Sequence, residues 1–311
     1  MDRNRALEEM RSYRICRIDE IDPEGVFHIR GPIMFTPNLT DLPKHVRTRA
    51  KRHLRTNKHP LEVVALCYED GGMSMQDALQ GIRVTASARV IDLIMHTLCT
   101  LLKNICVMHT EGVFHCDIKS TNVVMRQDKV LTFRLIDFGL SFSLPPVGPF
   151  VRHHDVFRVP YGVWPPCACL LRYKCLHMFV GGHVDVLIRY LNRHARVQPF
   201  HTEAAYLVGR VYPVLDHDQF IKQLIGGGIE SIHRMLLTLL DIHGIGMLLL
   251  EVCNKLMRVK SAQFPVIDSL ADVAMSLLDM CGVLKQLQLG LSPLESACVT
   301  IVSKRCTFSA A

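Results

Sequence analysis

The residues best placed to do chemistry lie in two short stretches, His115-Cys-Asp-Ile-Lys-Ser-Thr-Asn122 and, fifteen residues after Asn122, Asp137-Phe-Gly139. Asp117 can orient an incoming hydroxyl and accept its proton. The amide oxygen of Asn122 and the carboxylate of Asp137 are hard donors suited to a magnesium ion. Lys119, two residues past Asp117, can steady a transferring phosphate with its ammonium. Phosphoryl transfer asks a protein mainly for such positioning and charge neutralisation, with little covalent chemistry. Either triplet alone is a weak signal. Together they stand in order, after an apolar helical stretch and on either side of two short strand candidates.

These side chains need elements to hold them. Val123–Met125 and Leu131–Ile136 read as strands joined by a polar turn at 126–129, a hairpin that would return the chain so that both metal ligands face one cleft. Ahead of the first stretch, Ala86–His109 sets Val90, Ile91, Ile94, Leu98, Leu101, Leu102 and Ile105 on one helical stripe, which Gly112 ends. Upstream, Ser12–Ile18 alternates weakly, Gly25–Arg30 is a short strand candidate, and Leu61–Cys67 is the clearest strand, closing on turn chemistry at Tyr68-Glu-Asp-Gly-Gly72. From residue 73 the pattern turns helical, with apolar helices expected near 231–257 and 266–288. Strands first and helices after point to an α+β fold with two lobes.

Composition narrows the class. The chain has 311 residues, 49% hydrophobic and 21% charged, which excludes disorder throughout. No apolar run reads as a bilayer span, and the N-terminal ten residues lack the apolar core of a secretory signal, so no membrane partner is expected. The 12 cysteines show no framework spacing, which favours free thiols and a reducing compartment. Much of the net charge of +7 sits in 44–58, where Lys44, Arg47, Lys51, Arg55 and Lys58 follow helical spacing beside Val46, Ala50 and Leu54. Nuclear targeting, nucleic-acid contact or capture of an acidic substrate are its functional readings. A solvated helix face packed by its apolar stripe is favoured over them, and nucleic acid is not an expected partner. Cys167, Cys169, Cys175 and His177 depart from the paired spacing of structural zinc sites, so free thiols are expected there too.

Residues 61 to 255 resemble the protein kinase superfamily. The resemblance implies a two-lobed kinase-like fold: a small, reduced N-lobe over residues 1–68 and a larger helical C-lobe over 69–311. It makes Leu61–Cys67 the last N-lobe strand and Tyr68 and Glu69 part of the hinge that holds adenine. Val159-Pro-Tyr-Gly162 falls in the loop beside the substrate, and Val163-Trp-Pro-Pro-Cys167 resembles the family's A-P-E segment with cysteine for glutamate. Asp241-Ile-His-Gly-Ile-Gly246 resembles the D-x-x-x-x-G of the central C-lobe helix, whose aspartate braces the catalytic loop. An insert falls at about 168–240. The implied activity is serine/threonine protein kinase activity, with ATP and Mg as cofactors, a protein as substrate, Asp117 and Lys119 as catalytic residues, and Asn122 and Asp137 as metal ligands. Lys119 favours serine or threonine over tyrosine. The long insert, the W-P-P stretch and Ile136-Asp-Phe-Gly-Leu140 are similar to kinases of large DNA viruses, which implies a cytoplasmic or nuclear place, in a host cell if viral.

The pattern departs from the family before residue 60. No G-x-G-x-x-G occurs, and no lysine stands on a clear third strand. Arg30 is the first candidate to meet the nucleotide phosphates and Lys58 the second. The basic segment falls where the family's regulatory helix and its glutamate are expected. Cys116 replaces the usual arginine before the base, which argues against control by an activation-loop phosphate. Two other readings stay open: a pseudokinase acting as a binding or scaffold protein, and a small-molecule phosphotransferase, which usually lacks D-F-G and the Asp241-type motif.

Overall fold

A computed structural model of the chain describes residues 3–25, 28–29, 31–38, 40–48, 51, 64–81, 88–127, 131–144, 157, 161, 163–194, 199–225, 227–259 and 264–306. It is an α+β fold with a small strand-bearing N-terminal part and a larger helical C-terminal part. The chain opens with helix α1 (Arg3–Ile15) and the single turn α2 (Ile18–Ile21). The weak alternation over Ser12–Ile18 is therefore not a strand. Ala6, Tyr13 and Cys16 bury at helical rather than alternating spacing, and α1 packs on the 3₁₀ turn Phe138–Leu140. Residues 44–48 are helical, with Val46 38% exposed, and Ala50 and Leu54 of the expected apolar stripe lie outside the described residues. Lys51 is described as helical and exposed, and residues 52–63 lie outside the described residues.

Strand β1 (Ile33–Phe35) pairs antiparallel with β2 (Ala65–Cys67), the end of the expected Leu61–Cys67 strand. Of the Gly25–Arg30 candidate, His28 makes a parallel bridge to Leu135. Strand β3 (Met73–Ser74) runs into helix α3 (Met75–Gly81), so the segment after the Gly71-Gly72 turn begins as a strand before turning helical. Helix α4 (Ala88–Thr110) buries the predicted stripe from Ile91 to Ile105 and stops at Gly112, whose φ is +74°. A Cβ there would come 2.1 Å from the Leu144 carbonyl oxygen, so the close turn needs glycine. Strand β4 (Val113–Phe114) leads into the first chemical stretch. Strands β5 (Val123–Gln127) and β6 (Leu131–Leu135) form an antiparallel hairpin, with Val123 opposite Leu135, and β3 joins the other edge of β5. Strand β7 (Phe142–Ser143) pairs back with β4, Phe114 opposite Phe142.

The helical part begins with a 3₁₀ segment, Pro166–Leu171, followed by α5 (Tyr173–Val180), α6 (Val184–His194), α7 (Pro199–Leu207) and α8 (His217–Leu224). The 3₁₀ segment, α5 and α7 pack on α9 (Ile229–Leu256), the central core helix, which also packs on α10 (Phe264–Leu278) and α11 (Met280–Gln288), while α6 packs on the 3₁₀ segment, α5 and α8. Helix α12 (Pro293–Cys306) lies against α4 and α10. The helix expected over 266–288 is thus two helices. Asp279 breaks it by capping α11, its carboxylate accepting the Gly282 N–H at 3.1 Å. By length and hydropathy, Ile91–Thr110 and Ile229–Leu256 could each cross a bilayer, contrary to the sequence reading. Within the fold, 89% of the more apolar of these windows is buried against protein, as a core helix requires.

Candidate active site

The hairpin and the central helix together build the site. Asn122 immediately precedes β5 and Asp137 follows β6 after a single residue. The Ile136 N–H donates to the Asn122 carbonyl at 3.0 Å, so the two predicted metal ligands sit at the same open end of the hairpin. Asp117 is 3% exposed. Its Oδ2 accepts from Asn122 Nδ2 at 2.8 Å and from Lys119 Nζ at 2.8 Å, and its Oδ1 accepts from Lys119 Nζ at 3.0 Å. Asn122 Nδ2 also donates to the Asp117 carbonyl at 3.0 Å. Both donors of that amide therefore face Asp117, and its oxygen turns the other way. Asp137 is exposed, with φ at +63°, and caps the 3₁₀ turn by accepting the Gly139 N–H.

Two hard oxygens, one on a solvent-facing carboxylate and one on an oriented amide, fit magnesium, which takes one or two protein oxygens and keeps its remaining positions for water and phosphate. Asn122 and Asp137 are the residues that would hold it. Elsewhere, the described residues contain no group of three or more His, Cys, Asp or Glu arranged to bind a metal, the Cys167–His177 stretch included. The described cysteines are free thiols.

The loop carrying Asp117 is braced from α9. Asp241 is fully buried; its carboxylate accepts the His115 N–H at 2.8 Å, the Cys116 N–H at 2.6 Å and a hydrogen bond with His109 Nε2 at 2.9 Å. Cys116 needs this hold, because its φ of +60° is costly for a residue with a Cβ. From the other side the Trp164 indole N–H donates to the Cys116 carbonyl at 2.6 Å. Burial, then the nearby Asp241 charge, pushes the Cys116 thiol well above its ordinary range, so it fills space as an inert thiol. Cys167 is likewise fully buried, its thiol raised chiefly by desolvation. The Ser120 hydroxyl donates to Glu251 of α9 at 2.9 Å, and burial raises that carboxyl above its usual range.

A column of rings ties α1 to this loop. Tyr13 meets Phe138 edge-on at 5.8 Å, His28 meets it at 6.4 Å, and His115 packs on its other side at 4.7 Å. The Tyr13 hydroxyl has two acceptors for its one proton, the Asp19 carboxylate at 3.0 Å and the Ile29 carbonyl at 3.1 Å. These contacts fix the D-F-G turn between the N-terminal helix and the catalytic loop.

The expected adenine-side residues have other commitments. The Tyr68 hydroxyl makes a short hydrogen bond to Glu9 of α1, and burial followed by that bond raises its pKa. Glu69 pairs with Arg126 at 3.0 Å and Arg134 at 3.8 Å. Arg30 and Lys58 lie outside the described residues. Sequence reasoning missed Glu9, because the search for an acidic partner ran downstream to 44–58. It also missed Tyr161, although V-P-Y-G had been marked as a substrate-side loop. The Tyr161 hydroxyl donates to Asp117 Oδ1 at 2.9 Å and accepts from Lys119 Nζ at 2.5 Å. Burial alone would lower the Lys119 ammonium, but its bonds to Asp117 and Tyr161 outweigh that and raise it, so it stays charged.

This arrangement has counterparts among known proteins. A family model described as the protein kinase domain matches residues 55–154. The MAPK/MAK/MRK overlapping kinase of Mus musculus is 32% identical over 99 residues, a stretch that covers 31% of this chain and 22% of that protein. The chain therefore spans well under two thirds of that relative's length. The stretch matched by the family model contains the loop at 115–122 and the Asp137-Phe-Gly139 turn. Asp117, Lys119, Asn122 and Asp137 thus fall within a stretch similar to the protein kinase domain.

Proposed function

We propose that the chain transfers the γ-phosphoryl group of Mg-ATP to a serine or threonine hydroxyl of a protein substrate. The observation that carries this reading is the buried Asp117 carboxylate held by Lys119 and Asn122, beside a hairpin end that carries Asp137. In it, Asp117 accepts the hydroxyl proton and Lys119 steadies the transferred phosphate. Asn122 and Asp137 hold magnesium, which neutralises phosphate charge when bound. A charged Lys119 and an oriented Asp117 cost no reorganisation at the moment of reaction. The free thiols support a cytoplasmic or nuclear place for this activity.

A second reading, a pseudokinase serving as a binding or scaffold protein, draws on a specific observation. Glu9, an acidic side chain on the helix packed against D-F-G, bonds the phenol of Tyr68, the residue expected at the adenine side. Nucleotide titration separates the two. The kinase reading expects ATP binding that requires magnesium and weakens in Asp137→Asn, with Arg30→Ala and Lys58→Ala testing the two candidate phosphate cations. Absence of magnesium-dependent binding at millimolar ATP would leave the scaffold reading in its place.

A further inference from the structure

We propose that Tyr212 is a positioning residue for the protein substrate, acting through His243 on the loop at 161–164; the inference rests on the kinase reading above. Tyr212 lies in the stretch 168–240 that the kinase resemblance leaves over as an insert. It is 7% exposed, and its hydroxyl meets His243 Nε2 at 3.0 Å. His243 is fully buried on α9 and meets the Val163 carbonyl at 2.9 Å through Nδ1. A carbonyl oxygen only accepts, so Nδ1 carries a proton. Burial, with Cys167 adding to it, raises the Tyr212 phenol, which keeps its own proton and can donate it to Nε2. The two bonds fix one tautomer and one ring orientation, and the imidazole passes the position of Tyr212 on to the backbone of Val163.

Val163 stands between the two residues that tie this loop to the catalytic loop. The Tyr161 hydroxyl bonds Asp117 at 2.9 Å, and the Trp164 indole bonds the Cys116 carbonyl at 2.6 Å. The Trp164 N–H closes the turn on the Tyr161 carbonyl at 3.0 Å. The carbonyl of Val163 is held from α9 instead, and through His243 from the insert. A protein segment that brings its hydroxyl to Asp117 must pass beside this turn, so the hold on Val163 bears on how the acceptor docks rather than on the nucleotide. The segment carrying Tyr212 is itself pinned. Arg210 is tied to Asp272 at 2.8 Å and to Asp268 at 3.2 Å, both on α10, and Leu215 packs on the core. A group that positions others needs such support.

The test uses the full chain as wild type, Tyr212→Phe, His243→Asn and the double variant, with Mg-ATP and the best acceptor from a serine/threonine peptide array. Tyr212→Phe should raise KM for the peptide about two- to tenfold, the worth of one neutral hydrogen bond. It should leave KM for ATP and the rate of ATP hydrolysis without peptide unchanged, because Asp117, Lys119, Asn122 and Asp137 are untouched. A purely structural role would lower Tm and leave the peptide KM of the folded protein where it was. Asparagine keeps a donor near the place of Nδ1 without a bond to Tyr212, so in the His243→Asn background Tyr212→Phe should change nothing more. Tyr206→Phe, the same change at a tyrosine of this stretch that is 79% exposed, should behave as wild type. An unchanged peptide KM in Tyr212→Phe, or effects that add in the double variant, would overturn the inference and leave the kinase reading standing. No transfer by wild type to any peptide would overturn both.

Discussion

Replacing Asp241 with asparagine removes one oxygen from a site where three hydrogen bonds converge. Whichever way the new amide turns, its NH₂ faces a backbone N–H, that of His115 or that of Cys116, which then has no acceptor. A buried donor left unsatisfied costs about 1–3 kcal/mol, and the bonds that survive lose their charge assistance. The sum is about 2–4 kcal/mol. With unfolding entropy near 2.1 cal/mol/K per residue, a 311-residue chain loses about 0.65 kcal/mol per degree, so Tm should fall by about 3–6 °C. The damage should centre on Cys116, whose left-handed backbone costs about 1–3 kcal/mol to maintain. The chain's single tryptophan reports on that residue directly, because Trp164 donates to its carbonyl. Asp241→Asn should therefore red-shift the tryptophan emission below the melting range as well as lower Tm in scanning fluorimetry. A variant that melts within about 1 °C of wild type with unchanged emission would refute the bracing argument.

Two further outcomes follow from packing and charge. Gly244 lets α9 touch the catalytic loop, since a Cβ there would meet the Ile118 carbonyl oxygen at 2.7 Å. Gly244→Ala should cost about 1–3 kcal/mol by urea unfolding and shift tryptophan emission, whereas Gly228→Ala, which meets nothing within 4 Å, should leave that emission unchanged. The Glu251 carboxyl is raised by burial, so its protonated form fits the fold better than its anion. Its contribution to stability is complete below the unfolded-state pKa and is lost as pH rises through the folded one. Glu251→Gln keeps an acceptor for Ser120 without the charge, so its Tm should overtake that of wild type as pH climbs past the ordinary glutamate range. A constant Tm difference from pH 4 to 7 would contradict the assignment.

What the sequence disclosed depended on how local each feature is. His115–Asn122 and Asp137–Gly139 were legible because each role sits at a fixed spacing within one loop and one hairpin. Helix α4 and the hairpin were legible from periodicity. Helix α1 was not, since its buried positions, Ala6, Ser12 and Tyr13, are spread among charged residues, and the helix packs on the distant Phe138–Leu140 turn. The ring column through Tyr13, His28, Phe138 and His115 joins residues from four separate segments, which no window of sequence brings together. The Tyr68–Glu9 bond was hidden for the same reason, and it commits the Tyr68 hydroxyl to α1. Asp279, whose capping bond splits the helix expected over 266–288, stands inside a continuous apolar pattern that hides the break.

The central claim, that Asp117 is the base of a phosphoryl transfer, is tested most directly by single-turnover phosphorylation with purified wild type and Asp117→Asn at saturating Mg-ATP. The asparagine preserves the size of the side chain and an acceptor for Lys119 and Asn122, so nucleotide affinity should stay nearly unchanged. The rate of transfer should fall by about two to four powers of ten, the usual range for a general base. Transfer by Asp117→Asn at the wild-type rate would contradict the account.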